Sequence, residues 1–328
     1  MAANLTPQYY RAEEQYRRAQ TVAERVACLE ELLRVIPKHK GTDRLQGDLR
    51  FRLKEAKEQL RRENMKGAAS RSMPIPRQGA ARVVVMGAPN SGKSQLVSAC
   101  TGASLSVAPY PFSTRHPTAA LMDWNHFRIQ FIDTPPVSLS HWEPSLTDLV
   151  RSADLVLLCA DGSQDDGAQA AFDVIEQFAE RKIQLSHRSG FDEQRFAVVH
   201  VKSVLVVTRS WNSDWPVRKE LFSEWNAFPF SSAEVESGDE ESVLQLKAKV
   251  VKELGLIRVF TKKPGEPAEL IDPYILKSGA TVAEISEKVH ADLANRVKTA
   301  KIRRGHEKTP LNVGLDFELC DLDIVELH

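Results

Sequence analysis

Three patterns of apolar and polar positions succeed one another along the chain. In the first, "TVAERVACLEELLRVIP" repeats apolar residues at helical spacing, opens on a Thr21/Glu24 capping box and stops at Pro37, which predicts a helix. A second helix follows Thr42. In "DRLQGDLRFRLKEAKEQLRRE" the residues Leu45, Leu49, Leu53 and Leu60 share one narrow stripe, leaving Arg44, Arg50, Arg52, Lys54, Lys57, Arg61 and Arg62 around the rest. One face is expected to pack and the others to stay solvated and basic. The run "KGAASRSMPIPRQGAA" is small, polar and proline-bearing, as in a linker.

From Ala81 the pattern changes. Short apolar runs, "RVVVMG", "FRIQFID", "DLVLLCAD" and "SVLVVT", alternate with helix-length segments such as "GAQAAFDVIEQFAERK" and "VRKELFSEWNAF". Such alternation predicts α/β architecture, with βαβ units in a doubly wound, mainly parallel sheet. "TAALMDWNHFRIQFID" reads as a hairpin turning at Asn125, which adds one antiparallel edge strand. Beyond Gly255, "LIRVFTKKPG", a helix over "TVAEISEKVHADLANRV" and the runs "TAKIRR" and "DIVELH" predict an α+β module of roughly 70 residues, enough for an independent domain. The expected organisation is a helical arm over 1–65, a linker over 66–80, an α/β domain over 81–254 and a small domain over 255–328.

Composition changes this picture in one respect. The 328 residues are 42% hydrophobic and 27% charged, which excludes the disordered and fibrous classes, and the formal charge is zero. Between Arg34 and Arg82, however, fourteen Lys/Arg face five Asp/Glu, and a one-signed excess of that kind suits a polyanion such as an RNA backbone. Cys28, Cys100, Cys159 and Cys320 lie far apart without a CxxC pair, which suggests neither a zinc site nor a disulfide framework. The N-terminus lacks an apolar core of the signal-peptide kind, and no run approaches the roughly 18 apolar residues of a membrane span. A soluble, cytoplasmic protein is expected; nothing indicates its oligomeric state.

The candidate chemistry lies in "RVVVMGAPNSGKSQLV", which contains GxxxxGK[ST] as Gly87, Gly92, Lys93 and Ser94 between a strand and a helix. In such a loop the backbone N–H groups of residues including Asn90, Ser91 and Gln95 wrap a phosphate chain, the lysine neutralises β/γ oxygens and the serine ligates Mg2+. Asp133 ends the strand that begins at Phe127 and is placed to hold the magnesium through water. Asp161 also ends a strand, where it reads as a turn residue.

On these motifs the chain resembles the Obg-related GTPases, in particular the developmentally regulated GTP-binding proteins. "GAPNSGKS" is similar to their GxPNxGKS, "YPFSTRHP" to their switch I stretch, "SSAE" at 231–234 to their SA motif, and the tail to a TGS domain. The resemblance implies a P-loop GTPase domain with a C-terminal ubiquitin-like β-grasp, binding GTP and GDP. It further implies Thr114 as a switch I ligand of Mg2+ and γ-phosphate, Ser232 and Ala233 at the base, K+ at Asn90, and ribosomal RNA as partner.

Two departures bear on chemistry. Where the family reads DxPG, with a glycine N–H on the γ-phosphate, "DTPP" puts Pro136, which has no N–H. Where the guanine-reading NKxD is expected, "TRSW" puts Thr208 first and Trp211 in place of the aspartate. Arg209 and Asp214 are candidate substitutes; Trp211 reads as a half-buried packing residue, with stacking on a base as the alternative, and His141 as a surface histidine, with positioning of a water as the alternative. A slow Mg2+-dependent GTPase switch, a nucleotide-binding scaffold with impaired hydrolysis, and a P-loop ATPase all fit these residues.

Overall fold

The capping box closes at Thr21: its hydroxyl accepts from the Glu24 N–H at 3.1 Å, and its own N–H donates to the Glu24 carboxylate at 3.2 Å. The computed structural model describes residues 5–19, 21–66, 75–103, 116–138, 144–192, 198–224, 228–263, 265, 270–289, 297–304 and 310–328. They form two units, one of residues 1–77, 82–120 and 130–244, the other of 78–81, 121–129 and 245–328.

The arm contains α1 (Pro7–Arg18), α2 (Val22–Val35) and α3 (Asp43–Lys66). After it come β1 (Arg82–Gly87), α4 (Lys93–Thr101), β2 (Thr118–Trp124), β3 (Phe127–Asp133), α5 (Pro144–Arg151), β4 (Leu155–Asp161) and α6 (Gly167–Glu180). The order continues with β5 (Ile183–Ser186), β6 (Gly190–Phe191), β7 (Val199–Thr208), α7 (Trp215–Glu224), β8 (Ser232–Val235) and α8 (Glu240–Leu254).

Sheet order is β2-β3-β1-β4-β7-β5, with β6 and β8 also beside β7. The pairs β1/β3, β1/β4, β4/β7, β5/β7 and β7/β8 are parallel, and β6 is antiparallel to β7. Every residue of β1 and β4 is buried, as expected of central parallel strands covered on both faces. The hairpin β2–β3 turns at Asn125 and His126, both at positive φ, which suits a two-residue turn. Register carries Gly87, Asp133, Asp161 and Thr208, each the last residue of its strand, to one edge of the sheet, where α/β folds bind ligands.

The arm is less solvated than its charge suggests. Tyr9, Leu29, Leu32, Leu45 and Leu49 share one buried cluster with Val84, Met86, Leu158 and Phe178 of the sheet and its helices. Arg52, expected among the solvated cations, lies with its guanidinium 4.3 Å from the centre of the Phe191 ring, and burial lowers its pKa. Arg25 pairs with Asp148 at 2.5 Å, Arg18 with Asp154 at 3.3 Å, and Arg17 donates to the Ala153 carbonyl at 3.3 Å. The Glu13 carboxylate accepts from the Phe191 N–H at 2.6 Å, and burial raises its pKa. Arg44, Arg50, Lys54, Lys57 and Arg61 are exposed as expected. The end of the linker is also held: Ile75 O accepts from Arg82 Nη2 at 2.7 Å and Pro76 O from Gln130 Nε2 at 2.8 Å.

In the second unit, β9 (Leu256–Lys262), β10 (Tyr274–Lys277), α9 (Val282–Val289), β11 (Ala300–Arg303), β12 (Leu311–Val313) and β13 (Asp323–Leu327) form a five-stranded sheet with a helix. The order is β10-β9-β13-β11-β12, parallel only at β9/β13. Val282 and Ile285 of α9 pack on Val259, Leu276, Ile302 and Val325, giving the β-grasp arrangement expected. The helix read through Val297 is described as far as Val289; residues 290–296 lie outside the described residues.

Candidate functional site

The phosphate loop is built by close backbone approach. A Cβ on Gly87 would sit 2.4 Å from Cys159 O and 2.7 Å from Ser91 Oγ. Gly92, at φ +81, caps α4, and a Cβ there would lie 3.0 Å from Thr208 Oγ1. Glycine at both positions lets the loop close over β4 and β7, and α4 begins directly behind it with its N-terminal amides.

Lys93, at 6% exposure, donates from Nζ to Ala88 O at 2.6 Å and lies 3.3 Å from Ser91 Oγ. Burial lowers its pKa to about 8, with Cys159 and Asp133 opposing the shift. Its ammonium is thus tucked into the loop's own carbonyl. Ser94 Oγ donates to Asp133 Oδ2 at 2.6 Å, so the hydroxyl and carboxylate read from the sequence are brought together at the base of the loop. These are hard oxygen donors suited to Mg2+, which normally completes its shell with water and substrate phosphate. Gln95 is exposed on the first turn of α4. Thr114 and His141 lie outside the described residues.

The segment carrying Pro136 is buried and fixed. The Thr134 hydroxyl donates to Val85 O at 2.9 Å, and the Val137 N–H donates to Gly87 O at 3.1 Å. Pro136 has no N–H, and that of the next residue is spent on the loop's first carbonyl.

At the end of β7, Thr208 Oγ1 lies 3.1 Å from Ser91 O and 3.2 Å from Ala160 O, linking loop, β4 and β7. Arg209, at φ +53, turns back so that Nη1 reaches Asn90 O at 3.0 Å and Asp161 Oδ2 at 2.5 Å. Asp161 Oδ1 also accepts from the Ser163 N–H at 2.9 Å; it is the expected turn residue and a brace besides. The sequence signal for this brace is an arginine immediately after β7 and an aspartate ending β4. Their adjacency required the β4/β7 register.

Two other expectations meet a different geometry. Trp211 is 62% exposed; the packing role falls to Trp215, which is 8% exposed and donates from Nε1 to Glu234 Oε2 at 2.9 Å. Of the two indoles after β7, the one that opens α7 takes the core and the hydrogen bond. Ser232 and Ala233 lie inside β8 opposite Leu205 and Val206, whereas Thr208 is level with Val235. The loop that continues past the end of β7 is therefore 236–239, closed by Asp239 N to Glu236 O at 3.0 Å. Asp214 Oδ2 lies 3.5 Å from Arg218 in a solvent-exposed pair at the start of α7.

Thr208→Val keeps the volume and removes the hydroxyl, so nucleotide affinity is expected to fall about 5- to 10-fold, roughly one hydrogen bond's worth. Isothermal titration checks this; unchanged affinity would show that the link does not order the loop.

Residues 82–208 match the family described as 50S ribosome-binding GTPase, and residues 257–328 match the TGS domain. The sequence is 25% identical to an uncharacterized GTP-binding protein of Methanocaldococcus jannaschii, with 93% of this chain and 92% of that protein aligned. It is 23% identical to GTP-binding protein 1 of Schizosaccharomyces pombe, over 93% and 99% of the two chains. Against human developmentally-regulated GTP-binding protein 2, identity is 21% over 93% and 99%. The solved structure of the Schizosaccharomyces pombe YchF GTPase aligns with a TM-score of 0.52 at 13% identity, covering 77% of this chain and 99% of that one, a likeness of fold. Fold, loop and domain order define a P-loop GTP-binding protein of the GTPase class. Along 93% of its length the chain is similar to GTP-binding proteins that include those of the developmentally regulated type, and its residues 257–328 match the TGS domain.

Among the described residues, no helix is long and apolar enough to cross a membrane.

Proposed function

We propose that this GTP-binding protein is a slow, Mg2+-dependent switch whose basic arm engages RNA, as on a ribosome. The observation that carries the nucleotide part is the convergence of Lys93 with the Ser94–Asp133 pair, 2.6 Å apart, on one glycine-built loop. Ser94 and Asp133, with Thr114 from the preceding segment, would hold Mg2+, which supplies charge neutralisation at the β- and γ-phosphates. Lys93 exchanges the Ala88 carbonyl for phosphate oxygens. Asn90 and Ser91 lie in the loop and Gln95 on the first turn of α4, and Asn90 is the candidate position for K+.

Support for the RNA part comes from α3. Arg50, Lys54, Lys57 and Arg61 are exposed at spacings of four, three and four residues, forming one stripe roughly 16 Å long, although Lys57 also pairs with Glu30 at 2.8 Å. Replacing Arg50, Lys54 and Arg61 with glutamate is expected to weaken ribosome cosedimentation at least about tenfold. It should also flatten the salt dependence by about two in log–log slope. Equal binding by the triple variant would remove the arm as the contact.

A second reading, a scaffold that holds GTP without turnover, is favoured by one observation: Pro136 lacks the sensing N–H and Val137's is occupied. The deciding experiment identifies the copurifying nucleotide, then follows phosphate release from GTP with Mg2+, with and without K+ and ribosomes. Release supports the switch; bound GTP without release supports the scaffold; preferential retention of ATP overturns the guanine assignment.

A further inference from the structure

We propose that Trp211 is the stacking platform for the nucleotide base, standing in for the carboxylate that this chain lacks. The inference rests on the phosphates occupying the Gly87–Ser94 loop, and three observations carry it further.

The segment bearing Trp211 is tied to the phosphate loop at two points. Thr208 Oγ1 reaches Ser91 O at 3.1 Å, and Arg209 Nη1 reaches Asn90 O at 3.0 Å. Trp211 follows two residues after that brace, so its position is set by the same loop that would hold the phosphates.

The turn itself is preorganised. Arg209 sits in the left-handed region at φ +53, Asn212 Nδ2 donates to Arg209 O at 2.8 Å, and Asn212 Oδ1 accepts from the Asp214 N–H at 3.1 Å and from Arg218 Nη1 at 3.1 Å. Such a turn presents its outward side chain from a backbone that needs no further ordering. With Trp215 filling the core, Trp211 remains 62% exposed at the sheet edge where ligands bind.

Of the carboxylates nearest in sequence, Asp161 is committed elsewhere and Asp214 faces solvent in a long surface pair. Asp161 accepts from Arg209 at 2.5 Å and from Ser163, and Asp214 pairs with Arg218 at 3.5 Å. A base arriving here meets the exposed indole of Trp211, with the Asp161 carboxylate already taken by Arg209. Stacking of this kind tolerates any purine.

The test compares wild type with Trp211→Ala and Trp211→Phe, using calorimetric titration of GTP, ATP and inorganic tripolyphosphate, which has phosphates and no base. Trp211→Ala should weaken GTP and ATP by a similar factor, about tenfold, and leave tripolyphosphate within about twofold. Trp211→Phe should retain affinity to within about threefold of wild type. Tryptophan-to-nucleotide energy transfer with a fluorescent GTP analogue should fall sharply in Trp211→Phe although binding persists. Unchanged GTP affinity in Trp211→Ala, or an equal loss for tripolyphosphate, would overturn the platform. Failure of the phosphate reading is separate: it would appear as tripolyphosphate and GTP binding that survive Lys93→Ala in the otherwise native chain.

Discussion

Lys93→Met is expected to lower nucleotide affinity on the order of a thousandfold at neutral pH, while leaving the ligand-free protein as stable as wild type or more so. The first effect follows from removing a buried, hydrogen-bonded charge from a polyanion site, for which truncation costs about 2–5 kcal/mol. The second follows from the lowered pKa, about 8 in the fold against 10.5 for an ordinary lysine. Between those two values the unfolded chain binds more protons than the folded one, so stability rises with pH through that window. Below about 8 the cost of burying the ammonium is present in full, roughly 3 kcal/mol. A thioether of similar length does not carry that cost. Melting temperature at pH 7 should therefore hold or increase, and a loss of several degrees would contradict it. Nucleotide binding carries the opposite sign. Above pH 8 the ligand-free lysine gives up its proton, and affinity should decline by up to about tenfold per pH unit. Titrations at pH 7, 8 and 9 check this; a flat profile would mean that the ammonium does not meet the phosphates.

Pro136→Gly is expected to raise the preference for GTP over GDP about 10- to 100-fold. Here the missing group is a single N–H, and a hydrogen bond to a charged phosphate oxygen is worth about 1.5–3 kcal/mol. The surroundings favour recovery of that bond: Thr134 and Val137 pin the segment to Val85 and Gly87 on either side of the substitution. Glycine also brings backbone freedom, which costs up to about 1 kcal/mol through the unfolded state. Pro136→Ala separates the two effects, because it restores the N–H with less freedom. If both variants gain discrimination, the amide is responsible; if neither does, the γ-phosphate is not sensed at this position. Single-turnover phosphate release measured alongside reports whether the same amide accelerates hydrolysis.

Much of this arrangement was legible from local pattern. Apolar runs bounded by turn residues mark β1, β3, β4 and β7, and the glycine spacing marks the loop because only that backbone can approach Cys159 O and Thr208 so closely. The pairing of Ser94 with Asp133 was foreseeable from strand ends converging on one sheet edge. What stayed hidden depends on partners distant in sequence. Arg52 belongs to an otherwise wet helix face, and its burial is offset by groups from other elements, the Phe191 ring and the Tyr16 hydroxyl among them. Trp211 and Trp215 are equivalent candidates for the core until α7 places one of them over Gly162. The position of Ser232 and Ala233 is a matter of register, which a four-residue strand does not announce. The strands β10 and β12, with four and three residues, are too short for alternation to register.

The docking of α1 has a consequence for biosynthesis. Its acceptors come late: the Ala153 carbonyl lies 136 positions beyond Arg17, and the Phe191 amide 178 positions beyond Glu13. While the chain is being made, the arm emerges before the surfaces that neutralise it and bury its tyrosines exist. Until they are made, it must remain an uncovered cationic, aromatic nascent segment beside the ribosome that is producing it.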